Sequence, residues 1–352
     1  MSSIMAHINR IGTAVPDHDV HAIFVDWALA CLPEGREAAL FRRMAHRSGI
    51  DHRWSVLPPS PRNARMMTDF YADYANGMPS TATRMKVYAR EAPALALKAI
   101  ANLGELGAIS HLVVASCTGF VAPGIDQIIA AELGLDGSVE RTLVGFMGCY
   151  AAVAALRVAN HIVRSEPTAR VLVVMVELSS LHLQATADVE ALLAQLQFGD
   201  GAAAAIVGAD EEGLALGRFV AATLPDSADL IRWHIGDEGF VMHLAGAVPN
   251  RIAEALGDDA TRRTLIGDSH IDGWAVHAGG RSVLDAVERA LDLPPDALAQ
   301  SRAVLAAKGN MSSATLMFVL ADLLAGPRVG NGMALAFGPG LAAEGFGFRT
   351  AT

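Results

Sequence analysis

The feature that most limits the fold of this 352-residue chain is a repeat. GCYAAVAAL (148–156) and GNMSSATLM (309–317) share one plan: a glycine, a residue with functional chemistry, then small residues opening an apolar helix. Cys149 and Asn310 stand 161 positions apart. The same spacing separates Ser116, which closes the apolar run HLVVAS, from His277, which closes WAVH, and Val171 in VLVVMVE from Gly332 in GMALAFG. Self-similarity kept across two βα units points to internal duplication. Two superposed α/β halves related by a pseudo-twofold bring equivalent strand ends and helix starts together near the axis. Cys149 then faces Asn310, with His277 on a neighbouring strand end.

The alternation around these positions supports the same fold class. HLVVAS (111–116), ARVLVVMVE (169–177), AAAAIVG (202–208), WAVH (274–277) and GMALAFG (332–338) read as buried strands. Helices are predicted over Ile125–Leu133, Ala151–Val163, Ser282–Leu291 and Ser312–Leu324. The expectation is α/β layering, with helices covering a mainly parallel sheet. VLPPSPRNAR (56–65) reads as a loop. A net charge of −10 argues against a general nucleic-acid partner, although a local basic patch still permits an anionic small ligand. The start lacks the pattern of a secretory signal, and no uncharged apolar run is long enough to span a bilayer. Cys31, Cys117 and Cys149 are too few and scattered for a disulfide framework or a zinc site. A reduced, cytoplasmic protein is expected.

A cysteine at a helix start meets unpaired backbone N–H groups and a partial positive charge. Both favour thiolate, more so beside a histidine, so Cys149 and His277 suit an acyl-accepting nucleophile and its partner. Asn310 is no base, but its amide can donate to developing negative charge, as can His277. The plainer alternative for Cys149 is a small buried residue at a tight helix start.

Taken in order, SCTGFVAPGID (116–126), GCYAAVAALR (148–157), QFGDGAAAAIVGAD (197–210), VHAGGRSVLDAVE (276–288), KGNMSSA (308–314) and AFGPGLAAE (336–344) resemble the type III polyketide synthases, the chalcone-synthase-like group. The resemblance runs from about residue 8 to 348. It implies a thiolase-like fold: duplicated βαβαβ halves in an α-β-α-β-α layering, the N-terminal half (1–212) carrying the cysteine and the C-terminal half (213–352) the histidine and asparagine. It further implies that Cys149 carries the starter and the growing chain, while His277 and Asn310 assist decarboxylation of malonyl-CoA and stabilise the enolate. Free acyl-CoA esters as substrates, a homodimeric state, and no metal or organic cofactor are implied as well.

Phe198 matches the family's gate between the CoA tunnel and the pocket, and otherwise reads as a core aromatic before a turn. Met242 falls where plant members carry a second phenylalanine. Phe337 and Gly338, in the AFGPG stretch, match the segment shaping the cyclisation pocket. Arg43 and Arg47, four apart in FRRMAHRSGIDHR, match CoA-phosphate positions, where guanidinium suits phosphate. A third basic position is Leu40 here. Cys117 replaces a plant threonine, and His182 replaces a smaller pocket residue, as a wall or hydrogen-bonded histidine rather than a second base. Ala122 stands where plant members have a methionine crossing the dimer interface. These departures favour an alkylpyrone, alkylresorcinol or phloroglucinol producer over a chalcone synthase. Two rivals remain: a β-ketoacyl-carrier-protein synthase III, though HAGG replaces its HQAN-type segment, and a non-catalytic acyl-CoA binder.

Overall fold

The computed structural model describes residues 4–60, 67–71 and 77–351; residues 61–65 of the loop expected over 56–65 lie outside them. Among the described residues the strands are β1 (His7–Ala14), β2 (His18–Asp19), β3 (Trp54–Ser55), β4 (His111–Ser116), β5 (Glu140–Gly145), β6 (Val171–Leu178) and β7 (Asp200–Gly208) in the first half. The second half holds β8 (Leu214–Thr223), β9 (Ile231–Gly236), β10 (Gly239–Leu244), β11 (Gly273–Val276), β12 (Gly332–Gly338) and β13 (Ala342–Thr350). Nine of them join in the order β11-β12-β13-β8-β1-β7-β6-β4-β5.

That order is a mirror. β1 and β8 meet in the middle through two pairs, His7 with Ala215 and Ile8 with Leu214. Outward from there one half runs β1-β7-β6-β4-β5 and the other β8-β13-β12-β11. β4 and β6 thus occupy places equivalent to β11 and β12, the strands whose ends share the 161-residue spacing.

The sheet is mixed, which corrects the expectation of a mainly parallel one. Among the strands of the described residues, only β4–β5, β4–β6 and β11–β12 pair in parallel. β7 and β13 return antiparallel to β6 and β12, and β12 reaches β13 through the short turn Pro339–Leu341. A turn that tight can only reverse the chain. Apolar strands buried on both faces read alike in either direction, so the pattern carried no sign of it.

Alternation along the buried strands sets the layers. Val171, Val173 and Met175 of β6 face a central cluster shared with Ala334 and Ala336 of β12, while Leu172, Val174 and Val176 face an outer one. The central cluster is filled by the helices Ala151–Ser165 and Ala314–Ala325, which sit between the halves. Alanines at 151, 152, 154 and 155 keep the first of these slim enough to be sandwiched. The helix Thr81–Ala101 covers the outer face of the first half; Val248–Gly257 and Arg281–Ala290 cover that of the second. Helices and sheets therefore alternate in five layers. No helix among the described residues is long and apolar enough to cross a membrane.

Candidate active site

The duplication delivers its convergence. Cys149 lies in a 3-10 turn, Gly148–Tyr150, that leads into the helix Ala151–Ser165. Only glycine fits at 148: its φ is +74°, and a Cβ there would lie 2.4 Å from Pro339 Cδ. A Cβ on Gly338 would sit 2.7 Å from the Tyr150 ring and 3.4 Å from the Cys149 amide nitrogen. The AFGPG stretch of the second half is thus wedged against the cysteine turn of the first.

One cavity of about 580 Å³ is lined by Cys149, His277 and Asn310. Phe198, Met242, Cys117, His182, Phe337 and Gly338 line it too. Arg43 and Arg47 do not; they are exposed near the end of the helix Arg36–His46, either side of Met44, which does line it.

Asn310 is held from both sides. Its Oδ1 accepts from Ser312 N–H (2.8 Å) and its Nδ2 donates to the Gly279 carbonyl (3.2 Å). The remaining amide hydrogen is directed to no partner among the described residues, and Asn310 lines the same cavity as Cys149. His277 is the opposite case. It is 1% exposed, and neither ring nitrogen has a hydrogen-bond partner among the described residues. Buried polar atoms in folded proteins are nearly always satisfied. The imidazole is thus an unpaired donor and acceptor on the cavity wall.

The electrostatics correct one expectation. Burial pushes the Cys149 thiol up to about 12, although Ser312 and Asn310 favour its ionised form, and the nearby Glu177 adds to the rise. Burial alone takes His277 down to about 3. The turn's N–H groups do not by themselves hold a thiolate here.

Several residues at the site escaped sequence reading, Ser312 and Glu177 first among them. Ser312, at φ +47°, places its hydroxyl 3.2 Å from Cys117 Sγ and lines the cavity with Cys149, whose ionised form it favours. Glu177 is fully buried and accepts from Cys117 N–H (3.0 Å), Thr118 Oγ1 (2.9 Å), Cys117 Sγ (3.3 Å) and the Ser313 hydroxyl. Its signal was present: a lone carboxylate ending the run VLVVMVE. Cys117 is held as a thiol, raised by burial and by Glu177.

His182 is a wall residue. Its Nε2 bonds the Thr118 carbonyl (2.7 Å) and its Nδ1 accepts from Phe240 N–H (3.0 Å), the tautomer following from those partners. It stacks on Phe240 at 4.2 Å, with Trp233 edge-on at 5.5 Å, and burial takes it down to about 3. Both nitrogens being engaged, it is not a second base. Trp233, on β9, anchors this wall through Nε1 to the Cys117 carbonyl (2.8 Å). Among the described residues no group of His, Cys, Asp and Glu could hold a metal ion.

Comparison with known proteins agrees over nearly the whole chain. Residues 2–211 match the N-terminal domain of chalcone and stilbene synthases, and residues 216–352 the C-terminal domain. The alpha-pyrone synthesis polyketide synthase-like Pks18 of Mycobacterium tuberculosis is 36% identical over 286 residues, covering 75% of this chain and 72% of that protein. PKS-I of the brown alga Ectocarpus siliculosus superposes with a TM-score of 0.88 at 30% identity, covering 99% of each chain. The C-terminal type III polyketide synthase domain of Steely1 from Dictyostelium gives 0.85 at 26% identity, covering 99% of this chain and 100% of that one.

Proposed function

The chain belongs to the chalcone and stilbene synthase family and is a type III polyketide synthase, and from that premise we propose that Cys149, His277 and Asn310 carry out its condensations. The observation that carries this is the bare, buried imidazole of His277 in one cavity with Cys149 and the half-free amide of Asn310. Cys149 gives its proton to His277 and attacks the thioester carbonyl of an acyl-CoA starter, releasing CoA and holding the acyl group. Malonyl-CoA then enters the same cavity and loses CO₂. The enolate oxygen left behind accepts from Asn310 Nδ2 and the His277 ring, groups already fixed where that charge develops. The enolate carbon bonds to the carbonyl carbon on Cys149, and the thiolate leaves.

The apolar walls, including Leu193, Ile231, Val241 and Ile252, suit an alkyl chain. With the alpha-pyrone synthesis in the name of the mycobacterial relative, they support an alkylpyrone over a resorcinol or phloroglucinol product. Phe198 serves as the gate and Met242 as its softer opposite side. Arg43 and Arg47, beside the cavity-lining Met44, receive the CoA phosphates. The mirrored strand order supports taking residues 1–212 and 213–352 as the two halves. A homodimer is supported by the unpaired edge strand β5 and by Leu143 and Phe120, 46% and 41% exposed beside it. The three free cysteines suit the reducing cytoplasm.

Intact-protein mass spectrometry tests the nucleophile. A fatty acyl-CoA should add one acyl mass to the wild type and none to Cys149→Ala. Acylation of the alanine variant to the wild-type extent would overturn the assignment.

A further inference from the structure

Arg53 is 2% exposed and lines the cavity; its backbone N–H donates to Asp19 (3.2 Å) and the charges of Asp19 and Asp200 favour its ionised form, but its guanidinium is in no ion pair among the described residues. A buried guanidinium is costly unless its donors are well used. Here Nη1 is used on backbone and Nε on a side chain, while the buried Nη2 has no partner among the described residues. Nη1 donates to the carbonyls of Phe198 (2.7 Å) and Gln195 (3.2 Å), Nε donates to His21 Nδ1 (3.0 Å), and the group lies 4.4 Å over the Phe24 ring. Its aliphatic stem packs on Gly309, where φ is +69° and a Cβ would come within 2.8 Å of Arg53 Cγ. Gly309 leads directly into Asn310, whose backbone bonds Gln197 and Gly199 on either side of Phe198. The flanking chain is pinned to the same place: Asp51 and His52 N–H to the Ala306 carbonyl, and Trp54 Nε1 to that of Ala307.

We propose that Arg53 is a positioning residue that locks the Phe198 gate and the Asn310 turn into one unit, so that gate and enolate-stabilising amide keep a fixed relation during decarboxylation. The proposal rests on the reading of Phe198 and Asn310 given above. Nothing about Arg53 requires contact with substrate; it acts through the two segments it ties. Removing it frees the gate carbonyl and lets Gly309 relax into the vacated space.

Arg53→Lys and Arg53→Met test this, with melting temperature followed alongside. Starter loading on Cys149 should stay within about twofold of wild type, while kcat for malonyl-CoA decarboxylation falls about ten- to a hundredfold with KM little changed. Lysine, which retains one donor direction, should recover part of the loss. A second readout needs no acyl-CoA. The ratio of Cys149 labelling by a bulky maleimide to that by iodoacetamide should rise several-fold as the gate loosens. A folded Arg53→Met with wild-type decarboxylation and an unchanged ratio overturns the proposal. If the methionine variant does not fold, the lysine variant decides on the same two readings. Failure of the wild type to decarboxylate malonyl-CoA would strike the reaction assignment instead, and the labelling ratio would still decide the role of Arg53.

Discussion

At the scale of single residues, the proposed mechanism requires two neutral groups to become charged together. Cys149 alone is pushed up to about 12 and His277 alone down to about 3, both by burial. Removing the imidazole should therefore leave the thiol much harder to ionise. Iodoacetamide alkylation of Cys149 against pH should show an apparent pKa at least about one unit higher in His277→Ala than in wild type. Superimposable profiles would show that no proton is shared. His182 gives a stability test. Its folded pKa, about 3, lies below the unfolded value near 6.5, so the unfolded chain takes the proton first as pH falls. The stability it contributes is complete above about pH 6.5 and is lost below it, at about 1.4 kcal/mol per unit down to about pH 3. Glutamine can make both of its hydrogen bonds without titrating. His182→Gln should lower the pH slope of urea-derived stability between pH 4 and 6 by about that amount; an unchanged slope would mean that His182 is already protonated. The three residues proposed as catalytic share one cavity, and their convergence was legible in sequence because they close strands and open helices in a repeated frame. Ser312 and Arg53 were not, since their roles depend on a left-handed turn and on carbonyls more than a hundred residues away.

At the scale of elements, the nucleophile turn and the β9–β10 hairpin matter most. Gly148 has no room for a methyl group against Pro339 and sits at positive φ. Gly148→Ala must displace one half of the site from the other, so the chain should fold with a lower melting temperature and lose condensation by about a hundredfold. Retained activity would show that the turn has slack. The hairpin presents Trp233 to the wall formed with His182 and Phe240. Trp233→Ala should deepen the cavity and shift products toward longer starters or an added extension, read by mass spectrometry; an unchanged product spectrum would remove Trp233 from the wall. The hairpin was missed although IRWHI alternates apolar with polar residues before a GDEG turn, because its return strand FVMHL breaks that alternation. By contrast, the helix read over Ala151–Val163 was found at Ala151–Ser165, because its small apolar face fits only a sandwiched position.

At the scale of the whole molecule, the 161-residue spacing became a mirrored strand order about β1 and β8. The repeat was visible where sequence and geometry both persisted, in β4, β6, β11 and β12. It was invisible in β1 and β8, whose spacing differs, and strand direction was beyond reach for doubly buried strands. The exposed edge at β5 belongs to this scale too. Leu143→Glu should shift sedimentation from dimer toward monomer, by charging the unpaired strand. A wild-type chain that sediments as a monomer would dismiss the dimer.

The most direct test of the central claim is mass spectrometry of products from the purified chain with malonyl-CoA and starters from acetyl- to palmitoyl-CoA, beside Cys149→Ala and His277→Ala. A polyketide synthase working through Cys149 and His277 should give alkylpyrones whose alkyl group lengthens with the starter, absent from both variants. No product from the wild type with any starter, or equal product from either variant, would contradict that claim.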